Sequence, residues 1–246
     1  MTGQTSDMTE MGTDPSDQIE LQLAQARRKQ KLAAYRRWSW AYLAAGVVLW
    51  AFAIGLGELV QWHPVQASNE EIWASLIDRR TPGYTFILTI LTTLFNPWWA
   101  VLITALGAGL AWYLSKRWID ALYVVATCLL AAAMTHFLKG AVELARPPLA
   151  HQLVKARNYS YPSGHSSAVA ALIFSVAVVL TVHVLLRKTA VLWTWALAAV
   201  IVGLIAFSRL YLGVHWFADV VGGISIGLGS ALMMAAAFSR SSKLPL

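Results

Sequence analysis

The sequence predicts an all-α protein that crosses a membrane six times, and three observations predict it. Hydrophobic residues make up 58% of the 246 and charged residues 13%, about half of the roughly 25% carried by soluble domains. The apolar residues fall in runs that approach the roughly 20 needed to cross a bilayer as a helix. The positive charges, which set a formal net charge of +7, gather between those runs. That is the pattern of membrane topology rather than of a polyanion-binding surface, so no nucleic-acid partner is expected.

Taken in order, residues 1–18 are rich in Thr, Ser, Asp and Gly without apolar period and read as disordered. From Ile19 the chain becomes helix-prone and basic. Residues 1–37 form a cytoplasmic tail whose Arg27, Arg28, Lys29, Lys31, Arg36 and Arg37 suit anionic head groups. The membrane domain follows over 38–240, then a short tail over 241–246. No cleavable signal segment is expected at the start. The first span covers 38–57, with Trp38, Trp40 and Tyr42 at an interface. Ser68-Asn69-Glu70-Glu71 has the form of a capping box, so a short interfacial helix is expected to start at Ser68. Residues 84–114 read as one long helix, kinked or broken near Pro97. The remaining spans are 119–139, 166–186, 190–207 and 215–238. Gly223 and Gly227 have the small-xxx-small spacing of close helix packing. Cys128, the one cysteine, sits in mid-span as a small hydrophobe.

Six spans with the N-terminus inside distribute the 19 Lys and Arg as twelve on the cytoplasmic side and seven outside, in the direction that the positive-inside rule requires. Both termini are then cytoplasmic. Three chemically loaded segments fall together at the outer face. The first is Lys139 to Pro148, where Lys139 and Arg146 stand two helical turns apart and Pro147 turns Arg146 into a loop. A helix end with Glu143 pairing Lys139 is the plain alternative. The second is Tyr161 to Ser167, where Ser163, Gly164 and the first N–H groups of a helix offer an anion cradle beside His165. The third is Ser208 to Asp219. Its His215 and Asp219 are four apart, on one face of a helix starting near His215, so the carboxylate can orient the imidazole as a base or nucleophile. His215 and Asp219 could also ligate a metal. Lys139, Arg146 and Arg209 would repel a cation, and three cations, two histidines and an N–H cradle suit a phosphate.

Together the segments resemble the tripartite signature of the type 2 phosphatidic acid phosphatases (PAP2), the membrane branch of the superfamily that includes vanadium haloperoxidases. The signature is present as Lys139-x6-Arg146-Pro147, then Pro162-Ser163-Gly164-His165, then Ser208-Arg209-x5-His215-x3-Asp219. The resemblance spans 38–238. It implies a metal-independent, cofactor-free lipid phosphatase with its site at the outer end of a six-helix bundle. His215 would be the nucleophile that becomes a phosphohistidine, Asp219 its orienting partner, and His165 the acid and then base. Lys139, Arg146 and Arg209 would hold the phosphoryl oxygens, with Ser163 and Gly164 helping. The implied substrate is a lipid phosphomonoester or diphosphate in the bilayer: an isoprenyl diphosphate, phosphatidic acid or phosphatidylglycerol phosphate. Within the family a phosphotransferase is the rival, and outside it a transporter. Neither the lipid nor the oligomeric state is legible.

Overall fold

The computed structural model describes residues 15–93 and 95–240. Every regular element among them is helical. In chain order these are α1 (Pro15–Arg37), α2 (Ser39–Leu59), α3 (His63–Ile77), α4 (Pro82–Thr93), α5 (Pro97–Ser115), α6 (Trp118–Val142), α7 (Gly164–Val179, continued by a π turn over Leu180–Val184), α8 (Lys188–Tyr211) and α9 (Phe217–Arg240). Six of them, α2 and α5 to α9, are long and apolar enough to cross a membrane. This is a multi-pass membrane protein.

The bundle is built around α9 and α7. More than half of each apolar stretch is buried inside the protein, 61% for α9 and 56% for α7, while α2, α5 and α8 turn most of their surface outward. Glycine makes the central contacts possible. A Cβ on Gly223 would stand 2.5 Å from the Ser163 carbonyl, and one on Gly227 would stand 2.5 Å from the Ser167 carbonyl, so α9 lies directly on the α7 backbone. On the opposite flank a Cβ on Gly229 would meet the Gly46 carbonyl of α2 at 2.9 Å. These are the backbone approaches expected of small-xxx-small packing.

Several expected elements are placed differently. The 84–114 stretch is two helices. Asn96 and Pro97 separate α4, which packs on α8, from α5, which packs on α6 and α7. The count of spans remains six because α5 alone is long enough to cross. The interfacial helix starts at His63, with Pro64 in its first turn, so Ser68 is internal and its hydroxyl donates back to the Pro64 carbonyl at 3.0 Å. A proline N-terminus therefore replaces the expected capping box. The final span begins at Phe217, which leaves His215 in the preceding turn. Helix α1 begins at Pro15, inside the segment expected to be disordered; residues 1–14 and 241–246 lie outside the described residues.

Two of the basic tail residues are committed to protein. Arg28 donates to the His183 carbonyl at 3.0 Å and Lys31 to those of Thr181, at 3.2 Å, and Leu185. They cover the unpaired carbonyls at the C-terminal end of α7 and its π turn, where the helix dipole favours cations. Tyr35 adds a 2.7 Å bond to the Ala235 carbonyl of α9. At the same end buried Asp120 lies 3.7 Å from His183 and 3.8 Å from Arg117. Thus α1 is fastened to the end of the bundle away from the site described below.

Gly227→Leu puts a branched side chain where backbone atoms stand under 3 Å away. Overpacking of this kind costs about 1–3 kcal/mol or more. A lowered thermal unfolding midpoint in detergent is the expected result; an unchanged midpoint would show that α7 and α9 do not need this approach.

Candidate active site

The predicted site residues come from four helices and two of the segments that connect them, and meet at one end of the bundle. Lys139 is in the last turn of α6, Ser163 caps α7, Gly164 and His165 open it, Arg209 is in the last turn of α8, and Asp219 is in the first turn of α9. Arg146 and His215 lie in the connecting segments.

The turn between α8 and α9 is pinned from several sides. Gly213 has φ 73°, and a Cβ there would meet Arg80 Nη2 at 2.5 Å and the His151 carbonyl at 2.7 Å. Arg80 bonds to the carbonyls of Tyr211, through Nε at 2.9 Å, and His151, through Nη1 at 2.8 Å. The turn therefore needs both the left-handed conformation and the space that glycine supplies. At its far side Asn69 of α3 accepts the Ala218 N–H at 3.0 Å, and Trp216 donates its indole N–H to the Ala145 carbonyl at 2.8 Å.

Held in this turn, His215 is 2% exposed and Asp219 fully buried. Asp219 Oδ2 accepts three donors: the His215 ring at Nδ1 (3.0 Å), the Trp216 backbone N–H (2.8 Å) and the Ser160 hydroxyl. The bond to Trp216 is the back-half of a capping box, with an acid at the third helical position reaching the cap residue. The pair therefore forms without sharing a helical face. With the Nδ1 proton on Asp219, the lone pair of His215 is at Nε2, and Arg146 Nη1 stands 3.2 Å from it. Burial pushes the His215 pKa well below its ordinary value, and the charges of Arg146, Arg209 and Lys139 push it further. The ring is thus a neutral imidazole whose unprotonated Nε2 accepts from Arg146.

Those cations are already engaged. Arg146 donates to the carbonyls of Asn158 (2.9 Å), Val214 (2.7 Å), Arg157 (3.0 Å) and Tyr159 (3.3 Å). Lys139 donates to those of Tyr159 (2.6 Å) and Ser160 (3.2 Å). Helix α6 ends at Val142, so Arg146 lies in a loop as Pro147 led to expect, and the helix stops a turn earlier than Arg146. Lys139 bonds to the loop in place of the alternative pairing with Glu143. Arg209, 4% exposed, donates to the Thr92 hydroxyl at 2.5 Å.

His165 bonds to the Thr92 backbone carbonyl. Its Nε2 is buried and has no partner, so the bond to Thr92 runs through Nδ1 and Nε2 is left for chemistry. Ser163 is fully buried, and its hydroxyl accepts from the backbone N–H (3.4 Å) and hydroxyl (3.0 Å) of Ser166. Its own N–H goes to the Asp219 carbonyl at 2.9 Å. Ser163 thus builds the start of α7. Gly164, beside it, has only Thr135 at 4.0 Å from where a Cβ would be, so the space on that side of the helix start is open.

Three partners escaped the sequence reading: Thr92, Ser160 and Asn69. Each is an ordinary polar residue whose bond crosses a large sequence distance. Tyr161, at the start of the second segment, is core: it is fully buried, bonds to the Ala53 carbonyl and lies against Gly57 and Gly222. Tyr159, Lys155 and Arg157 are exposed. His136, one turn before Lys139 on α6, is also exposed.

The model of the PAP2 superfamily matches residues 120–243. The chain belongs to the PAP2 superfamily. Phosphatidylglycerophosphatase B of Bacillus subtilis is 32% identical to it over 183 residues, which cover 74% of this chain and 89% of that protein. An undecaprenyl-diphosphatase of Sulfolobus acidocaldarius is 42% identical over 73 residues, covering 30% of this chain and 31% of the other. In three dimensions, the Bacillus subtilis transmembrane PAP2 type phosphatidylglycerolphosphate phosphatase matches with TM-score 0.72 and 27% identity. That match covers 80% of this chain and 97% of the other. LpxE of Aquifex aeolicus shares the fold at TM-score 0.51 and 24% identity, over 70% and 94% of the two chains. The named relatives are phosphatases, and this PAP2 chain is a phosphoric-ester hydrolase.

Thr92→Val keeps the side-chain shape and the backbone carbonyl under His165 but removes the acceptor for Arg209. A hydrogen bond to a charged group contributes about 1.5–3 kcal/mol. Phosphate release from a lipid phosphate is expected to fall by about tenfold or more; undiminished kcat/KM would show that Arg209 holds its position without Thr92.

Proposed function

We propose that the protein is a membrane lipid phosphatase acting through a phosphohistidine, without a metal ion. The observation that carries this is His215 itself: a buried, neutral ring held at Nδ1 by Asp219, with Nε2 turned toward Arg146. The activity resides in the membrane domain, residues 38–240.

The phosphoryl group sits among Lys139, Arg146 and Arg209 and the N–H of Gly164, at the helix N-terminus that Ser163 forms. In the first step the Nε2 lone pair of His215 attacks phosphorus. The bond from phosphorus to the lipid oxygen breaks, and protonated His165 gives the Nε2 proton to that oxygen. Asp219 stabilises the charge that develops on His215. The three cations stabilise the equatorial oxygens, whose charge is the main thing an enzyme can act on in phosphoryl transfer. In the second step His165, now carrying its proton only at Nδ1 toward Thr92, takes a proton from water. The water oxygen attacks phosphorus, the N–P bond breaks, and orthophosphate leaves with His215 restored. Three fixed cations supply the charge that a metal supplies elsewhere, and they disfavour binding one.

The substrate we propose is a phosphomonoester or diphosphate on a membrane lipid, in keeping with the activities named for the relatives, phosphatidylglycerophosphate and undecaprenyl diphosphate hydrolysis. The lipid's tails would stay in the bilayer while its head reaches the end of the bundle. The charge bias of the sequence supports an outer-face site and cytoplasmic termini.

His215→Ala is expected to abolish phosphate release from every lipid phosphate, and near-normal turnover would refute the mechanism. His165→Gln given a labelled aryl phosphate, whose leaving group needs no proton, is expected to accumulate a phosphate on His215 that is labile in acid and stable in base; no label, or a label anywhere else, would refute the assignment. Because the folded-state pKa of His215 lies below its ordinary 6.5, the nucleophile remains unprotonated as pH falls past that value. The acid limb of kcat/KM, which reports the free enzyme, should therefore fall below pH 6.5. Millimolar chelator should leave turnover unchanged.

A further inference from the structure

Helix α4 turns its sides the wrong way round for a surface helix in water. Its protein-facing stripe includes polar groups beside the buried Leu88: Thr85 stands 3.3 Å from the Tyr211 hydroxyl, and the buried Thr92 accepts from Arg209. Its outward stripe is apolar, with Phe86, Ile87 and Ile90 at 66%, 53% and 51% exposure. In water the apolar stripe of a helix faces the core, so the reversed order calls for an apolar solvent outside. The position of α4 supplies one. Its start is tied to the end of α8, where the Thr81 N–H donates to the Tyr211 hydroxyl at 2.8 Å. Leu91 near its end, with Phe95 just beyond, packs on the buried cluster that contains Val202 and Ile205 of α8. Helix α4 therefore lies along the last turns of a membrane-crossing helix. Its own 12 residues reach about 18 Å, too short to cross a core of roughly 30 Å.

We propose that acyl chains of the bilayer cover Phe86, Ile87 and Ile90 and thereby hold α4 where its last turn supports the site. That turn carries two supports at once. The Thr92 hydroxyl accepts from Arg209, and the Thr92 carbonyl accepts from His165. A shift of α4 away from α8 moves both acceptors together. Lipid that is not being hydrolysed is then a working part of the site, and Phe86, Ile87 and Ile90 are positioning residues that act through Thr92. The contact is with the membrane and not with the substrate, so a phosphate ester without tails gains from it as a lipid phosphate does. This rests on the phosphatase reading for the roles of Arg209 and His165.

Phe86→Gln with Ile90→Gln makes the outward stripe polar, leaves the protein-facing stripe as it is, and keeps good helix formers in place. With the full chain in phosphatidylcholine vesicles, phosphate release is measured from a lipid phosphate and from a tailless aryl phosphate. For the glutamine pair kcat/KM is expected to fall by about tenfold on both substrates, and Phe86→Leu with Ile90→Leu should return both to within about twofold of wild type. An unchanged thermal midpoint certifies the fold; if the glutamine pair lowers it, Ile90→Gln alone is read by the same criteria. Undiminished release, a fall for the lipid phosphate alone, or leucine variants as weak as the glutamine ones would overturn the inference. A nitroxide on Ile90→Cys, in a Cys128→Ala background, reads what covers the stripe. In the same vesicles it should be relaxed by molecular oxygen and not by a water-soluble nickel chelate. Relaxation by nickel, which means water, or by neither, which means a second copy of the chain, would also overturn it. Wild-type protein that releases phosphate sets these failures apart from failure of the phosphatase reading; no release from either substrate removes that reading and this inference with it.

Discussion

A carboxylate with no solvent contact joins the pieces of the site. An ion buried without partners costs several kcal/mol, and Asp219 offsets part of that cost by taking donors at Oδ2 from separate parts of the chain. The His215 ring, the Trp216 backbone and the Ser160 hydroxyl converge on a single oxygen, while the Asp219 carbonyl receives the N–H of Ser163. The turn before α9, the loop after α6 and the start of α7 therefore share one anchor. The tautomer of His215, the position of the start of α7 and the path of the loop are consequences of the same few bonds. The close approach of α9 to α7 at Gly223 is what brings them within reach.

The two ends of the bundle use cations in related ways. At the site end Lys139 and Arg146 bond to loop carbonyls, and at the opposite end Arg28 and Lys31 bond to the carbonyls left unpaired where α7 finishes. In both places a charged side chain satisfies backbone acceptors that would otherwise lack partners. At the site end the charges also stand around the buried His215–Asp219 pair.

Much of this was legible in the sequence because the relevant residues are costly where they stand. Arg209, His215 and Asp219 at the junction of two apolar runs needed explaining, and the runs themselves gave the six spans. The local geometry was less legible. The four-residue spacing of His215 and Asp219 suggested a shared helical face, but the pairing comes from an acidic third position reaching back over a helix start. Lys139 and Arg146 converge although their helix ends at Val142, because the loop folds back to both. Thr92 gave no signal, being one threonine in an apolar stretch read as part of a long helix. Only the break at Asn96-Pro97, which sends α4 to α8, brings it beneath Arg209 and His165. Ser160 was similarly hidden, since its role is fixed by a loop path that leaves no periodic trace.

The loop over 157–160 presents main-chain oxygens to the cradle. Amino-acid identity at Arg157, Asn158 and Tyr159 is therefore largely decoupled from the support these positions give: an acceptor of the same kind exists whatever side chain is attached, provided that the backbone follows the same course, including the left-handed turn at Asn158 (φ 66°). The exposed side chain of Arg157 is not needed for this support, while the inward face keeps the cations in register. One segment can thus serve as a fixed mount on one side and an adaptable surface on the other.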